Sequence, residues 1–273
     1  MTLTTSPSEP KPSAPAGWVL VWSDDFDGPA GAAPHPATWS HDLGDGCAAG
    51  NCGWGNQEKQ AYSDSADNVA LTGNGRLAIT ARVAPPGQVC YYGPCRYTSG
   101  KIKTKAKLQP QYGRIEARLQ LPPGQGLWPA FWLLGAGPPA VPWPECGEID
   151  IMEYRGSQPK AMSSAVHGPG YFRDTPLVHA FTLTDGTFAD SLHVFALEWE
   201  PAELRFYVDE VLHYTLPKSA VLAHGPWVFD QPFYLILNLA VGGHFDGDPA
   251  SDSIFPATML VDYVRVYARG APA

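Results

Sequence analysis

Apolar and polar residues alternate with a period of two in many short segments of the chain. This period predicts β-strands, because successive side chains of a strand point to opposite faces of a sheet. Turns rich in Gly and Pro separate the segments, and none of them keeps a helical stripe beyond a turn or two. Strands are predicted at Trp18 to Trp22, Arg76 to Val83, Lys101 to Leu108, Arg114 to Leu121, His193 to Trp199, Leu204 to Tyr207, Tyr234 to Leu239 and Leu260 to Tyr267. The pattern therefore predicts an all-β fold, a sandwich of two packed antiparallel sheets.

One domain, residues 17–269, is predicted to contain all of these strands. The length of 273 residues is compatible with a single all-β domain. Residues 1–16 are rich in Pro, Ser and Thr and are typical of a solvated tail or linker, and residues 270–273 form a short C-terminal tail. Between the first strands, Gly28 to Gly53 is predicted to be a long irregular loop.

The alternation breaks in the segment EIDIMEY, and the break predicts a β-bulge. Glu148 and Asp150 share one face of the strand, whereas in a regular strand Glu153 would be buried on the opposite face. An unpaired charge in that position would be very costly. One extra residue near Ile151 and Met152 removes the conflict, because it moves Glu153 to the face of the other two acids.

Three carboxyl groups on one face suit a retaining glycosidase. In such an enzyme one carboxylate attacks the sugar, and a second one, about 5 to 5.5 Å away, protonates the leaving oxygen and then activates water. Asp150 would polarise its neighbours, and the crowded negative charge would raise the pKa of the acid. The alternatives are a solvated strand face and a calcium site built from carboxylates. Apolar neighbours, and Trp128, Trp132 and Trp143 just upstream, favour the catalytic interpretation.

Composition and charge exclude several classes of function. The chain is 12% aromatic with nine Trp, and Trp faces are favoured platforms for sugars. The net charge of -9, with 18 Lys and Arg spread along the chain, argues against a nucleic-acid groove. No apolar run approaches the roughly 18 residues of a membrane helix. Neither a nucleotide-binding fingerprint nor a zinc-protease motif is present, so no cofactor is expected.

The five cysteines bear on the cellular compartment. Cys47 with Cys52, and Cys90 with Cys95, are close enough to form disulfides that staple two loops, which leaves Cys146 single. The alternative is that all five are free thiols. No charged segment followed by an apolar one opens the chain, so the protein is either cytosolic or its signal peptide has been removed. We favour the second, a secreted, extracellular protein.

The acid motif and several others together resemble glycoside hydrolase family 16, and within it the laminarinase-like endo-β-1,3-glucanases. The pattern E-x-D-x-x-E is met by Glu148, Asp150 and Glu153. Further matching motifs, in chain order, are WSDDF at Trp22 to Phe26, WGNQEKQAY at Trp54 to Tyr62, TSGKIKTK at Thr98 to Lys105, YGRIEAR at Tyr112 to Arg118, GLWPAFWLLG at Gly126 to Gly135 and NLAVGG at Asn238 to Gly243. The resemblance extends over nearly the whole predicted domain.

This resemblance implies a β-jelly-roll with a concave sheet that forms an open cleft for a β-glucan. It implies that Glu148 is the nucleophile and Glu153 the general acid/base, that Asp150 assists, and that the chemistry needs no cofactor. A monomer is expected. The residues that match cleft positions of the family are Asn56, Arg114, Trp128, Trp132, His167 and Asn238.

Each cleft residue also has a structural interpretation. One of the two tryptophans would belong to the core, and His167, which precedes Gly-Pro-Gly, would cap a turn. Arg114 shares a strand face with Glu116 and would be its partner. Asn238, in an apolar strand, must be hydrogen-bonded if it is buried, and that bond would be its role.

The resemblance also implies a structural Ca²⁺ ion on the convex side, held by an Asp of the last strand and by backbone carbonyls. Asp262 matches that Asp, with Asp27 and Gly73 as backbone donors. One departure concerns Lys101 and Lys103, which stand where related sequences often have Arg. Lys cannot make the bidentate contacts of Arg, so contacts to substrate there would differ.

Two other functions remain as alternatives at this point. A non-catalytic glucan-recognition module would have the same fold, but such modules lack one or both glutamates. A hydrolase or transglycosylase of this fold could instead act on mixed-linkage glucan or on a galactan. The bulged acid motif favours β-1,3 linkages, and the acidic chain disfavours sulfated galactans.

Overall fold

The computed structural model describes residues 11–137 and 141–270, and most of the regular structure within them is β-strand. The helices are α1 (Lys218–Val221) and short 3-10 turns at Cys47–Ala49, Cys52–Gly55 and Asp252–Ile254. The strands are β1 (Trp18–Asp24), β2 (Ser40–His41), β3 (Gln60–Tyr62), β4 (Val69–Leu71), β5 (Leu77–Val83), β6 (Val89–Cys90), β7 (Gly93–Pro94), β8 (Tyr97–Ser99), β9 (Lys101–Lys103), β10 (Gly113–Gln120), β11 (Leu127–Gly135), β12 (Glu148–Tyr154), β13 (Ala161–His167), β14 (Leu177–Thr182), β15 (His193–Glu200), β16 (Glu203–Val208), β17 (Val211–Pro217), β18 (Phe233–Val241) and β19 (Ala257–Arg269).

The strands form two large sheets. The ten-stranded sheet has the order β17-β16-β15-β10-β19-β5-β8-β3, with β1 paired to β19 and β4 paired to β5. The seven-stranded sheet has the order β14-β13-β12-β11-β18-β9-β2. The strand pairs in both sheets are antiparallel except β3 with β8. The predicted all-β sandwich of two antiparallel sheets is thus confirmed.

The core lies between the facing sides of the two sheets. In β10, Ile115 and Ala117 are fully buried in it, and in β12 Ile149 and Ile151 are buried in the same cluster. Every second residue therefore contributes apolar surface to the core, and burial of that surface stabilises the fold by roughly 25 cal/mol per Å². The residues between them, on the opposite strand faces, carry the polar groups discussed below.

The predicted strand pattern was incomplete, because it did not include β3, β4, β8, β13, β14 and β17. Two further segments differ from it. The strand predicted from Lys101 to Leu108 ends at Lys103, because the hydroxyl of Thr104 donates to the carbonyl of Leu108 at 2.7 Å and closes a turn. The predicted loop from Gly28 to Gly53 contains β2, which pairs with β9 at the edge of the seven-stranded sheet. A local side-chain hydrogen bond decided the first case and pairing with a distant strand the second.

The ends of the chain were predicted to be solvated tails. Residues 1–10 and 271–273 lie outside the described residues. For Lys11 and Pro12 the prediction is wrong, because both are hydrogen-bonded to β19: Lys11 donates to the carbonyl of Asp262, and Arg265 donates to the carbonyl of Pro12. The segment before β1 is therefore docked on the domain.

The two predicted disulfides, Cys47–Cys52 and Cys90–Cys95, are both formed, and Cys146 is free and buried. The first disulfide joins the two 3-10 turns of the loop before β3, and the second closes the β6–β7 hairpin. No helix among the described residues is long and apolar enough to cross a membrane.

Candidate active site

The strand β12 contains the predicted β-bulge. Against β11, Asp150 pairs with Trp132 and Met152 pairs with Phe131, so Ile151 is the extra residue. The register against β13 shifts at the same place. Ile151 and Met152 are both buried in the core. The prediction of a bulge that sends Met152 inward is confirmed, and its physical reason is the cost of burying a charged Glu153 among apolar residues.

Ser164 of β13 lies beside the bulge and supports it. Its buried hydroxyl donates to the carbonyl of Ile151 at 2.7 Å. A bulge leaves a backbone group outside the regular ladder, and a buried carbonyl without a partner would be costly. Ser164 therefore holds the geometry on which the position of Glu153 depends. The sequence does not reveal this role, since a serine in a strand carries no signal of its partner.

The acid cluster consists of Glu148, Asp150 and Glu153 together with His167. The imidazole Nε2 of His167 lies 3.3 Å from Oδ2 of Asp150 and 4.0 Å from Oε1 of Glu148. The side chain of Asp150 is 4% exposed, whereas those of Glu148 and His167 are 18% and 14% exposed. His167 pairs with Glu148 across β12 and β13 and so faces the carboxyls. Asp150 forms the floor of a cluster that remains open to substrate at the glutamates.

The acid cluster holds protons near neutral pH. The pKa of Glu148 is raised to about 8 and that of Asp150 to about 7, and the pKa of Glu153 is raised well above its ordinary value; burial is the largest cause in each case. The negative charge of Asp150 contributes to the rise of both glutamates, and the attraction of His167 offsets part of it. A carboxyl group that keeps its proton at neutral pH can serve as a general acid.

Trp132 lies beside the acid cluster and is fixed by Asn238. Its indole Nε1 donates to Oδ1 of Asn238 at 2.7 Å, and Nδ2 of Asn238 donates to the hydroxyl of Tyr62 at 3.1 Å. Asn238 is buried, so its hydrogen-bonding groups are committed to these partners. The structural interpretation of Asn238 is the one that the geometry supports: it orients the indole.

Trp128 lies on the same strand as Trp132 but has a different environment. Its ring stacks on that of Phe245 with 4.5 Å between centroids, and the guanidinium of Arg155 lies 3.8 Å from the centre of the Phe245 ring. The indole Nε1 of Trp128 is buried and has no hydrogen-bond partner among the described residues. Phe245 was not identified from the sequence, where it stands in a Gly-rich loop without a pattern.

Asn56 belongs to a buried polar network that reaches Trp132 through Lys101. Its side chain donates to Oε1 of Glu58 at 3.1 Å, and Gln60 donates to the other carboxyl oxygen at 2.6 Å. The ammonium of Lys101 lies 4.3 Å from the ring centre of Trp54 and 5.1 Å from that of Trp132. Burial lowers the pKa of Lys101 and raises that of Glu58.

A further acid completes this network. Asp42 lies 3.5 Å from Nζ of Lys101 and also pairs with Lys103. Lys101 and Lys103, which stand where related sequences often have Arg, thus share the carboxylate of Asp42 as their ion-pair partner. Glu58 lies within the motif WGNQEKQAY, so the sequence offered a signal for it; Asp42 lies in the irregular loop and offered none.

Arg114 does not belong to the site, and its predicted place in the cleft is wrong. It lies on β10 in the ten-stranded sheet, on the face opposite to the core residue Ile115. Its Nε donates to Glu116 at 2.9 Å, which is the partnership that the shared strand face had suggested, and Nη1 donates to Glu198 at 3.4 Å.

The residues predicted to bind Ca²⁺ do not form an acidic site. The buried carboxylate of Asp262 faces Nη1 of Arg118 at 3.2 Å and Nε of Arg76 at 3.7 Å, and Gly73 lies against Ala30. Among the described residues, the group of acidic and His side chains spaced to hold a metal is Glu148, Asp150 and His167, whose ligand atoms lie within 4.8 Å of one another. That group is the acid cluster itself.

Comparison with known proteins gives a consistent set of relatives. The chain matches the model of the Glycosyl hydrolases family 16 over residues 51–265. It is 40% identical over 257 residues to the β-glucanase of Rhodothermus marinus, which covers 92% of this chain and 85% of that protein. Over 279 residues it is 38% identical to glucan endo-1,3-beta-glucosidase A1 of Niallia circulans, covering 96% of this chain but 39% of that longer protein.

A solved structure agrees with these relatives. The laminarinase catalytic domain of Thermotoga maritima superposes with a TM-score of 0.87 at 41% identity, covering 93% of this chain and 99% of that one. At this coverage the similarity extends through nearly all of this chain. The family match also includes every residue of the acid cluster.

Proposed function

This chain belongs to glycosyl hydrolase family 16, and from that premise we propose that it cleaves β-1,3-glucosidic bonds within β-glucan chains, with retention of configuration. It is a glycoside hydrolase, and the chemistry of this family needs no cofactor. The observation that carries the proposal is the bulge at Ile151, which brings Glu153 to the strand face of Glu148 and Asp150.

The reaction proceeds in two steps. Glu148 attacks the anomeric carbon in its ionised form and the bond to the leaving oxygen breaks, while Glu153 transfers its proton to that oxygen. Glu153 then removes a proton from water, which attacks the anomeric carbon and releases Glu148. The raised pKa of Glu153 supports the first role, because the group must carry a proton when substrate binds.

Asp150 and His167 act on the two glutamates without reacting themselves. The carboxyl of Asp150 raises the pKa of Glu148 and of Glu153 by its charge, and His167, 3.3 Å from Asp150, opposes it. As negative charge leaves Glu148 on attack, the pKa of Glu153 falls, which favours transfer of its proton to the leaving oxygen and then lets its carboxylate accept a proton from water. Asp150 and His167 therefore tune the pKa of the two glutamates, so that each glutamate has the protonation state that its step requires.

An uncharged glucan is the substrate that the surroundings of the acid cluster suit. Trp132 offers an indole to the flat faces of sugar rings, and Trp54 lies nearby, since the ammonium of Lys101 contacts both rings. The relatives named as a β-glucanase, an endo-1,3-β-glucosidase and a laminarinase act on such polymers according to their names. Mixed-linkage glucan is the alternative substrate and is tested in parallel.

We also propose that the protein is secreted and works as a monomer, binding neither nucleic acid nor membranes. Two disulfides support the first part, since disulfides persist in oxidising compartments. The net charge of -9 supports the absence of nucleic-acid binding.

The test is the release of reducing sugar from laminarin, with barley mixed-linkage glucan in parallel. Wild type should cut laminarin, and Glu148→Ala and Glu153→Ala should each lose at least about 10³-fold in kcat while remaining folded. Glu145→Ala is the matched control, because Glu145 is exposed and lies three residues before the proposed nucleophile. A wild type that binds laminarin without cutting it would contradict the proposal and favour a recognition module.

Azide separates the roles of the two glutamates. With an activated β-glucoside, azide should restore turnover of Glu148→Ala and give a product of inverted configuration, because the anion takes the place of the missing nucleophile. With Glu153→Ala it should give a product of retained configuration, because it attacks the glycosyl-enzyme. The opposite pairing of product and variant would exchange the assignments.

A further inference from the structure

Three oxygen atoms surround the ammonium of Lys11. Its Nζ donates to the carbonyl of Asp25 at 2.9 Å and to the carbonyl of Asp262 at 3.1 Å, and it lies 3.2 Å from the carboxylate Oδ1 of Asp25. The side chain of Lys11 is 19% exposed. A lysine ammonium has three donors, so these three oxygens satisfy it completely. We call this group of oxygens the cation cage.

The cation cage lies where the resemblance had placed a Ca²⁺ ion. It contains the backbone oxygen of Asp262, and Asp27 is close by: a Cβ on Gly75 would come 3.2 Å from Oδ1 of Asp27 and 4.0 Å from Nζ of Lys11. Carbonyl and carboxylate oxygens are the ligands that Ca²⁺ prefers. The donor atoms of the cage would therefore suit the metal.

The surrounding charges do not suit it. Besides Lys11, the guanidinium of Arg265 lies 3.3 Å from the carboxylate of Asp25, and Asp262 is paired with Arg118 and Arg76. The carboxylates of Asp25 and Asp262 are thus already paired with protein cations. A divalent ion entering beside the Lys11 ammonium would meet strong repulsion at close range. The residues present do not fit a calcium ion while Lys11 is in place.

We propose that Lys11 is a built-in cation that fills this cage, and that the cage binds Ca²⁺ only when the Lys11 ammonium is removed. The segment that carries Lys11 is attached to β1, so its ammonium is present at a high effective concentration, on the order of millimolar. It is further held by the bond from Arg265 to the carbonyl of Pro12. Ca²⁺ must therefore displace a tethered ammonium before it can occupy the cage.

The proposal gives the segment before β1 a structural role. Lys11 bonds to the residue that follows β1, Asp25, and to Asp262 in the middle of β19, two places far apart in the chain. In a calcium-binding protein the metal would make this connection; here an amino group makes it. The stability of the domain should then depend on residue 11 and be indifferent to chelators.

The experiment compares wild type, Lys11→Met and the control Lys160→Met, an exposed lysine far along the chain. Thermal unfolding is followed in EDTA and in about 5 mM CaCl₂, with the same free Ca²⁺ concentration for all three proteins. Lys11→Met should unfold about 3 °C lower than wild type in EDTA and recover in CaCl₂, whereas the other two proteins should show the same Tm in both buffers. Calorimetric titration with Ca²⁺ alone should find one site in Lys11→Met and none in wild type.

The double variant Lys11→Met with Asp25→Asn locates the site, because loss of the carboxylate should abolish the gained Ca²⁺ binding. Equal stabilisation of wild type and Lys11→Met by CaCl₂ would overturn the proposal. So would a Lys11→Met protein that loses stability without binding Ca²⁺, or one that behaves as wild type throughout. None of these readouts involves glucan cleavage, so they are independent of the proposed activity.

Discussion

The two sheets bury carboxyl groups on their outward faces in opposite ways. In the seven-stranded sheet the acid cluster joins three carboxyls to one histidine. In the ten-stranded sheet an arginine network joins Arg114 to Glu116, Glu198 and Glu210, and tyrosine hydroxyls of β19 donate to Glu116 as well. Asp150 of the first group and Arg114 of the second are both buried, but only the second group contains a cation that cannot lose its charge.

The pKa of a buried carboxyl group is therefore shifted in opposite directions in the two sheets. Burial raises the pKa of Glu198, but hydrogen bonds from Tyr207, Arg205 and Trp18 outweigh it, and the pKa is lowered overall. In the acid cluster nothing outweighs burial, and the pKa of Glu148 rises to about 8. A carboxylate that is paired stabilises the fold, whereas one left unpaired holds a proton that catalysis can use. The difference teaches that burial alone does not identify an active site; burial without a compensating cation does.

The largest expected effect on stability follows from removing Arg114, the cation of the arginine network. Arg114→Met should lower the free energy of unfolding by about 3 to 5 kcal/mol, because it leaves buried carboxylates without their partner. The kcat on laminarin should stay within about twofold of wild type, since the arginine network lies on the other sheet. Urea unfolding and initial rates at a temperature where both proteins are folded give the two numbers.

A control for that variant is Arg82→Met. Arg82 donates to a backbone carbonyl at an exposed position, so its replacement should change stability by less than about 0.5 kcal/mol. If Arg114→Met instead lost kcat and kept its stability, Arg114 would act in catalysis and the separation of the two groups would fail.

Replacing Glu148 in the acid cluster should have a smaller effect on the free energy of unfolding, and one of opposite sign. The pKa of Glu148 is raised to about 8 in the folded state, so wild-type stability falls as the pH rises from about 4.5 towards 8. Glu148→Gln removes this cost and should stabilise the protein by about 2 kcal/mol at pH 8 and have little effect at pH 4.5, while activity is lost. The measurement is urea unfolding at both values of pH.

Glu198→Gln serves as the matched comparison. Because the folded pKa of Glu198 is lowered, its carboxylate adds stability above the ordinary pKa of Glu, and that stability is lost as the pH falls through the lowered value. This variant should therefore be destabilised at pH 8. Two glutamine variants with the same sign at pH 8 would contradict the electrostatic difference between the sheets.

The smallest effect concerns the pH dependence of the reaction. Asp150→Asn removes a negative charge that raises the pKa of Glu148 and of Glu153. Both limbs of the profile of kcat/KM against pH on laminarin should move to lower pH by about one unit, and kcat should fall about tenfold. An unchanged profile would show that Asp150 does not set these pKa values, whatever its effect on kcat.

Much of the site was determined by the sequence itself. The order of acids and apolar residues in β12 required a bulge, because a regular strand would have buried Glu153 without a partner. Alternation likewise fixed which residues of β10 face the core and that Arg114 and Glu116 share the other face. These are local properties, encoded within a few residues, and each was predictable from the pattern alone.

Only the tertiary structure decided which local faces meet. Alternation assigns Arg114 to a face but not to a sheet, so its place followed from strand pairing, and its partner Glu198 is 84 residues away. The stacking of Phe245 on Trp128 and the bond of Lys11 to Asp262, 251 residues apart, likewise carry no local signal. Side-chain direction is set by neighbouring residues through backbone sterics, whereas contacts between distant segments depend on how the whole chain closes on its core.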